Sequence, residues 1–286
     1  EGADAFRNLE TRPSDVVLAS GVKMGTTWAA RILHLLLHGI DAAGAGTIAE
    51  GVNARGQCYP EGLTLAPVER IGVERLLFGE YTWPSLESQP EPRLFSTHVW
   101  GEHLPRHLVA PDGKGRLVIM ARNLKDTLCS LHFFRGEPAD GWYGNSHGPG
   151  SLERFLSADC PNAFGSVFES LAAHDGVAQS IPERVHILYY EALIEDHTGE
   201  VARLARFLGL EATQAQIDAV VDATRFESMK EAGRVGKLKG ADILLRQGGV
   251  GGWRQHLDAA SWARFDRVCE DRLARCALAR RLLEYH

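Results

Sequence analysis

A chain of 286 residues, 44% hydrophobic and 24% charged, is long enough to bury one large core, and its length and composition fit a single domain spanning 1–286. The net charge of −6 gives no basic footprint for nucleic acid and disfavours a polyanionic partner, while leaving room for a small anionic ligand where cations are gathered locally. No apolar stretch reaches the roughly 18 residues of a membrane span, because Trp28 to Ile40 is interrupted by Arg31, His34 and His38.

The first residues carry no signal-peptide pattern. Five cysteines, Cys58, Cys129, Cys160, Cys269 and Cys276, form no CxxC pair and leave one over in any full disulfide scheme. That usage suits a reducing compartment, so a cytoplasmic protein without a cysteine metal site is expected.

In chain order, the apolar run Val16-Val17-Leu18-Ala19 predicts a buried strand, followed by the turn Ser20-Gly21-Val22-Lys23-Met24-Gly25 and an amphipathic helix through Ala29 to Leu37. A strand, a Gly-bearing turn with one Lys, and a helix opened by Thr26 and Thr27 make a P-loop-like phosphate cradle: backbone N–H groups and the helix dipole face an anion, and Lys23 adds a full charge. The Walker A pattern is not kept, since Lys23 precedes Gly25 and no Gly-Lys-Ser or Gly-Lys-Thr occurs.

Further strands are predicted at Arg93 to Val99, Arg116 to Ala121 and Val185 to Tyr190. Val201, Leu204, Ala205 and Leu208 mark a helix over Thr198 to Leu208, with Asp196 as its cap and Gly209 at its end. The stretch from Ala259 to Leu283 is expected to be one helix with an apolar stripe of Trp262, Phe265, Cys269, Leu273 and Cys276. Short buried strands alternating with helices predict an α/β fold, a central parallel sheet flanked by helices, whose ligands bind beyond the carboxyl ends of strands. The Gly- and Pro-rich segments 41–92, 135–150 and 231–252 are expected to be loops over that site.

After the third strand, Arg122-Asn123-Leu124-Lys125-Asp126 leads to Ser130, two helical turns on, so that Arg122 and Ser130 reach a second phosphate. Here the chain resembles the cytosolic-type, PAPS-dependent sulfotransferases. Their first loop reads TYPKSGTTW, matched at Lys23, Gly25, Thr26, Thr27 and Trp28; their second reads RNxKDxxxSxxHF, matched at Arg122, Asn123, Lys125, Asp126, Ser130 and Phe134. Tyr190-Glu191 through Phe207-Leu208-Gly209 is similar to the family's YEDMKEDP…FLG run. Thr224 to Lys230 is similar to TSFxxMK, Arg246 to Arg254 to RKGxxGDWK, and Ser96-Thr97-His98 to KTH.

The resemblance implies sulfuryl transfer from PAPS, with PAP as product, to a hydroxyl or amine of a small organic acceptor, and no required metal. It implies His98 as general base, Lys23 stabilising the leaving phosphate, and Ser130 both on the 3′-phosphate and restraining Lys23. Arg122, Ser130, Arg246, Gln247 and Gly248 would hold the 3′-phosphate, and Lys23, Gly25, Thr26 and Thr27 the 5′-phosphate. Trp28 and Phe226 would sandwich adenine, with Tyr190 and Thr224 lining the nucleoside.

The chain departs from the pattern at several places. Ser96 replaces a Lys near the transferring group, Gln247 replaces the Lys of RKG, Gly252 replaces the Asp of GDW, and Met24 replaces a Ser. Arg225 stands where the family has Ser and offers a compensating charge. The dimer pattern KxxxTVxxxE falls on Arg254, Asp258, Ala259 and Ala263 and is not kept, so oligomeric state stays open. Two other readings also stay open on the sequence: a sulfotransferase-like nucleotide-binding module without turnover, and a P-loop small-molecule kinase, which the position of Lys23 disfavours.

Overall fold

The computed structural model describes residues 6–39, 91–133, 166–234, 245, 247–256 and 258–285. Among them, four strands form one parallel sheet in the order β2-β1-β3-β4: β1 is Val16–Ser20, β2 Leu94–Thr97, β3 Arg116–Ala121 and β4 Val185–Tyr189. Leu18 lies opposite Ser96 on one side and Val118 on the other, and Ile119 lies opposite Ile187. All five residues of β1 are buried, which is why the strand reads as an unbroken apolar run rather than an alternation.

Successive side chains point to opposite faces. Val17, Ala19, Phe95, Leu117 and Ile119 enter one core cluster, and Val16, Leu18, Leu94, Val118 and Met120 the other. Helix α1, Thr26–His34, covers the second face through Ala29, Ala30, Ile32 and Leu33 and runs into a π-helical turn, Leu35–Gly39. The short α2, Arg106–Val109, precedes β3; after it, α3, Leu124–Phe133, and α4, Val167–Ser180, cover the first face. Then α5 (Tyr190–Glu195), α6 (His197–Phe207), α7 (Gln214–Thr224) and α8 (Phe226–Arg234) follow β4. Asp196 caps α6 by accepting the Gly199 N–H at 2.9 Å, and Gly209, at φ +74°, closes it.

The expected single C-terminal helix is two, α9 (Ala259–Leu273) and α10 (Ala277–Glu284). The chain turns at Cys276, whose Sγ accepts the Ala279 N–H at 3.4 Å, so that the Asp175 carboxylate can take the N–H groups of Ala277 and Leu278 at 3.0 and 2.9 Å. Trp262, Phe265, Cys269 and Leu273 do form the buried stripe of α9. Of the three expected loops, residues 41–90 and 135–150 lie outside the described residues. Residues 231–234 finish α8 rather than starting a loop, and 247–252 cross the carboxyl end of the sheet.

From β1 the chain moves to one side of the sheet and from β3 to the other, which opens a crevice between the carboxyl ends of these two neighbouring strands. At the opposite end of the sheet, Asp15 and Arg93 precede β1 and β2 and form a fully buried fork: Nε donates to Oδ1 at 2.8 Å and Nη2 to Oδ2 at 2.5 Å. Nη2 also donates to the Glu10 carbonyl at 2.9 Å, and the Arg12 N–H donates to Asp15 Oδ2 at 2.7 Å. A lone buried charge is far costlier than a satisfied pair, so Arg93→Met is expected to destabilise the fold by about 3–5 kcal/mol in urea unfolding. The double variant Asp15→Leu/Arg93→Met is expected to regain most of that loss.

Candidate active site

The turn between β1 and α1 puts Lys23 at φ +63°, and among the described residues no other residue besides glycine has positive φ. A lysine in the left-handed region costs free energy that the surrounding loop must offset. Gly25 follows at φ +104°, where a Cβ would meet Met120 Cε at 2.6 Å and Tyr190 Cδ2 at 2.8 Å. Gly25 is also the N-cap of α1 and has no side chain to cap the helix start, whose first residues Thr26 and Thr27 line the crevice at the positive end of the helix dipole. Ser20, the last residue of β1, shares a 2.6 Å hydroxyl contact with Thr26 and holds His98 through its carbonyl, 3.0 Å from Nδ1. A carbonyl only accepts, so Nδ1 carries the proton and the basic lone pair of the neutral ring is on Nε2.

Arg122 follows β3. Its Nη1 donates to the Lys23 carbonyl at 3.4 Å and its Nη2 to the Gly249 carbonyl at 3.2 Å, while the guanidinium lies 4.2 Å over the Tyr190 ring. Its Nε is buried with no partner among the described residues. The Gly249 N–H donates to the Tyr190 hydroxyl at 3.2 Å, which closes the triangle. Burial pushes the Tyr190 phenol up against the opposing pull of Arg122, so it stays a neutral acceptor here.

Asn123 starts α3: its Oδ1 accepts the Lys125 N–H at 2.9 Å, and its Nδ2 donates to the Tyr285 carbonyl at 2.8 Å. Along α3, Asp126, Cys129 and Ser130 stand three and four residues apart and so share one face, which lines the crevice. Asp126 accepts the N–H groups of Gly251 and Trp253 at 2.7 and 3.2 Å, pinning the glycine-rich strap 247–252.

The far wall is aromatic. Trp28 meets the rings of Tyr190 and His197 edge to face, each centroid 5.2 Å away, and its indole Nε1 is buried with no partner among the described residues. Phe226 packs so closely on Gly248, at φ +63°, that a Cβ there would come within 2.6 Å of the ring. Between them Thr224, fully buried, bonds His197 Nε2 at 3.1 Å.

These residues surround one cavity of about 720 Å³. Lys23, Gly25, Thr26, Thr27, Trp28, His98, Arg122, Ser130, Tyr190, Thr224, Phe226, Gln247 and Gly248, singled out in the sequence, all line it. Arg246 lies outside the described residues. Ser96 is elsewhere: 1% exposed in β2 and paired with Leu18, it shares its face with Leu94 in the core and does not line the cavity. Arg225 does line it, ion-paired to Asp222 at 2.9 Å. Sequence reasoning missed His197, Asp126 as a strap anchor, and Glu191, whose buried Oε1 accepts the Asn123 N–H at 2.9 Å. Asp126 and Glu191 carried a signal, as parts of the Arg122 to Phe134 and Tyr190-Glu191 matches.

A cation-bearing, P-loop-like loop at the switch point of a parallel sheet, faced by a second arginine loop and an aromatic wall, defines an α/β protein built to hold a phosphorylated nucleotide. The chain belongs to the sulfotransferase domain family, which its residues 13–277 match. Cytosolic sulfotransferase 1 of Danio rerio is 28% identical over 295 residues, 96% of this chain and 87% of that one. Sulfotransferase 1E1 of Homo sapiens is 25% identical over 288 residues, 96% and 89%. Among solved structures, mouse sulfotransferase SULT7A1 complexed with PAP superposes with a TM-score of 0.73 at 20% identity, over 100% of this chain and 94% of that one. The resemblance read from the motifs and the α/β fold class are both borne out.

The left-handed Lys23 sets stability against function. Lys23→Gly is expected to raise the unfolding free energy by about 1 kcal/mol, because glycine adopts this conformation without a Cβ clash. Lys23→Ala keeps the strain and is expected to gain nothing. Thermal unfolding of the two variants side by side checks this.

Proposed function

We propose that this chain transfers a sulfuryl group from PAPS to a hydroxyl or amine of a small organic acceptor. The observation that supports this best is the common cavity: Lys23 from the end of β1, His98 from the end of β2, Arg122 from the end of β3 and Ser130 from α3 all line it. The residues present fit the nucleotide. Gly25 and Gly248 let Tyr190 and Phe226 close in on the two loops, and the buried Arg122 Nε offers a donor to a phosphate oxygen.

PAPS, when bound, supplies the activated sulfuryl group. Thr26, Thr27 and the first amides of α1 hold the 5′-phosphate side, and Arg122 and Ser130, with the Gly248 backbone, hold the 3′-phosphate. Gln247 belongs to the same strap, and the motif resemblance adds Arg246 to the 3′-phosphate set. Trp28 and Phe226 flank the base. His98 Nε2 takes the proton from the acceptor hydroxyl as the new oxygen–sulfur bond forms. Lys23 Nζ meets the negative charge that grows on the departing phosphate oxygen as the old bond breaks. Sulfuryl transfer develops less negative charge than phosphoryl transfer, so side-chain cations can serve where a kinase uses Mg²⁺, and no metal is needed in this scheme.

Among the described residues no helix is long and apolar enough to cross a membrane. The cysteine usage supports action in a reducing compartment, the cytoplasm, on a diffusible acceptor by a chain that forms one domain.

Calorimetry with adenosine 3′,5′-bisphosphate in the absence of divalent metal tests the nucleotide assignment. Tight binding is expected, with Arg122→Ala weakening it by about ten- to a hundredfold. Stabilisation by ATP with Mg²⁺ but not by the bisphosphate would point to a kinase instead. His98→Ala is expected to lose transfer to a neutral alcohol by about a hundredfold or more while binding the bisphosphate like wild type. An acceptor already ionised at assay pH should rescue His98→Ala and not Lys23→Ala. Wild-type turnover by His98→Ala with a neutral alcohol would remove this residue from the mechanism.

A further inference from the structure

His197 is the first residue of α6 and lines the cavity against the edge of Trp28. Its hydrogen bonding can be solved by counting protons. The Thr224 hydroxyl has a single hydrogen, and it donates that hydrogen to the Val220 carbonyl at 2.7 Å. Toward His197 Nε2, 3.1 Å away, Thr224 Oγ1 is therefore the acceptor, and Nε2 must carry the proton. A neutral imidazole has one N–H, which leaves Nδ1 as a lone-pair acceptor. Burial first, and the Arg225 guanidinium second, hold the imidazole below its usual pKa of 6.5, so the ring is uncharged at neutral pH. Among the described residues no hydrogen bond to Nδ1 competes with a ligand.

We propose that His197 reads the nucleobase: Nδ1 accepts a hydrogen bond from the exocyclic amine of a 6-aminopurine held by Trp28 and Phe226, and disfavours a 6-keto purine in the same place. The keto oxygen would bring a second lone pair against Nδ1, leaving both acceptors desolvated and unpaired. Thr224 cannot perform this discrimination through its own proton, because Val220 already holds it; its part is to fix the tautomer of His197. The inference rests on the nucleotide reading of the cavity given above and assigns its base specificity to a residue at which this chain departs from the YEDMKEDP pattern, His197 standing at the place of its Pro.

The test compares binding of adenosine 3′,5′-bisphosphate and inosine 3′,5′-bisphosphate by calorimetry. Wild type is expected to favour the adenosine compound by at least about tenfold. His197→Leu, which removes both ring nitrogens, is expected to bring the two within about twofold of each other by the same loss of one polar contact. Should that variant fail to fold, His197→Lys carries the test, since an ammonium donor at this place reverses the preference toward the keto base. Equal binding of both compounds by wild type, or an adenosine preference surviving in His197→Leu or His197→Lys, overturns the assignment while leaving the nucleotide reading intact. Failure of wild type to bind either compound overturns the nucleotide reading itself.

Discussion

Arg122 is the contact on which the rest of the site depends. One guanidinium touches the backbone of the β1 loop, the backbone of the strap and the face of the tyrosine that starts α5, so three segments far apart in sequence are located by a single planar group. A lysine could not replace it, because an ammonium lacks both the fork and the flat surface that rests on Tyr190. The sheet makes this economy available. With the order β2-β1-β3-β4, the ends of β1 and β3 are adjacent while their outgoing chains diverge, and a residue just past β3 necessarily faces the turn just past β1.

Two histidines in the cavity use one device with opposite polarity. At His98 a main-chain carbonyl fixes the proton on Nδ1 and presents Nε2; at His197 a hydroxyl with its own proton already committed fixes the proton on Nε2 and presents Nδ1. In each case the partner that sets the tautomer also decides which ring nitrogen keeps the lone pair. At the strained turn, the Lys23 carbonyl accepts from Arg122 while the residue lines the cavity.

β3 was legible to the residue and β1 to within Ser20, because both are buried on two faces and so appear as continuous apolar runs ending at a glycine turn or a charge. β2 proved shorter than its apolar stretch, since Arg93 is committed to Asp15 and His98 already turns toward the cavity. The break before α10 had no local signal: Cys276 fits the helical stripe, and what ends the helix is the Asp175 carboxylate, about a hundred positions earlier. His197 was hidden for a similar reason. Beside Asp196 it reads as an ordinary first-turn residue, and its importance comes from Thr224, contributed by the next helix. Ser96 shows the converse, a substitution conspicuous in the motif whose side chain the fold places in the core.

Asn123 reaches from the start of α3 to the carbonyls of Leu282 and Tyr285, and Asp175 receives the opening amides of that same terminal helix. The loop that follows β3 is therefore not an appendage on a finished scaffold. Its opening and the fraying of α10 belong to one cooperative unit, so the local free energy of that unit sets how often the cavity loses its shape. A ligand that clamps Arg122 would then protect amides at the far end of the chain, although it touches none of them.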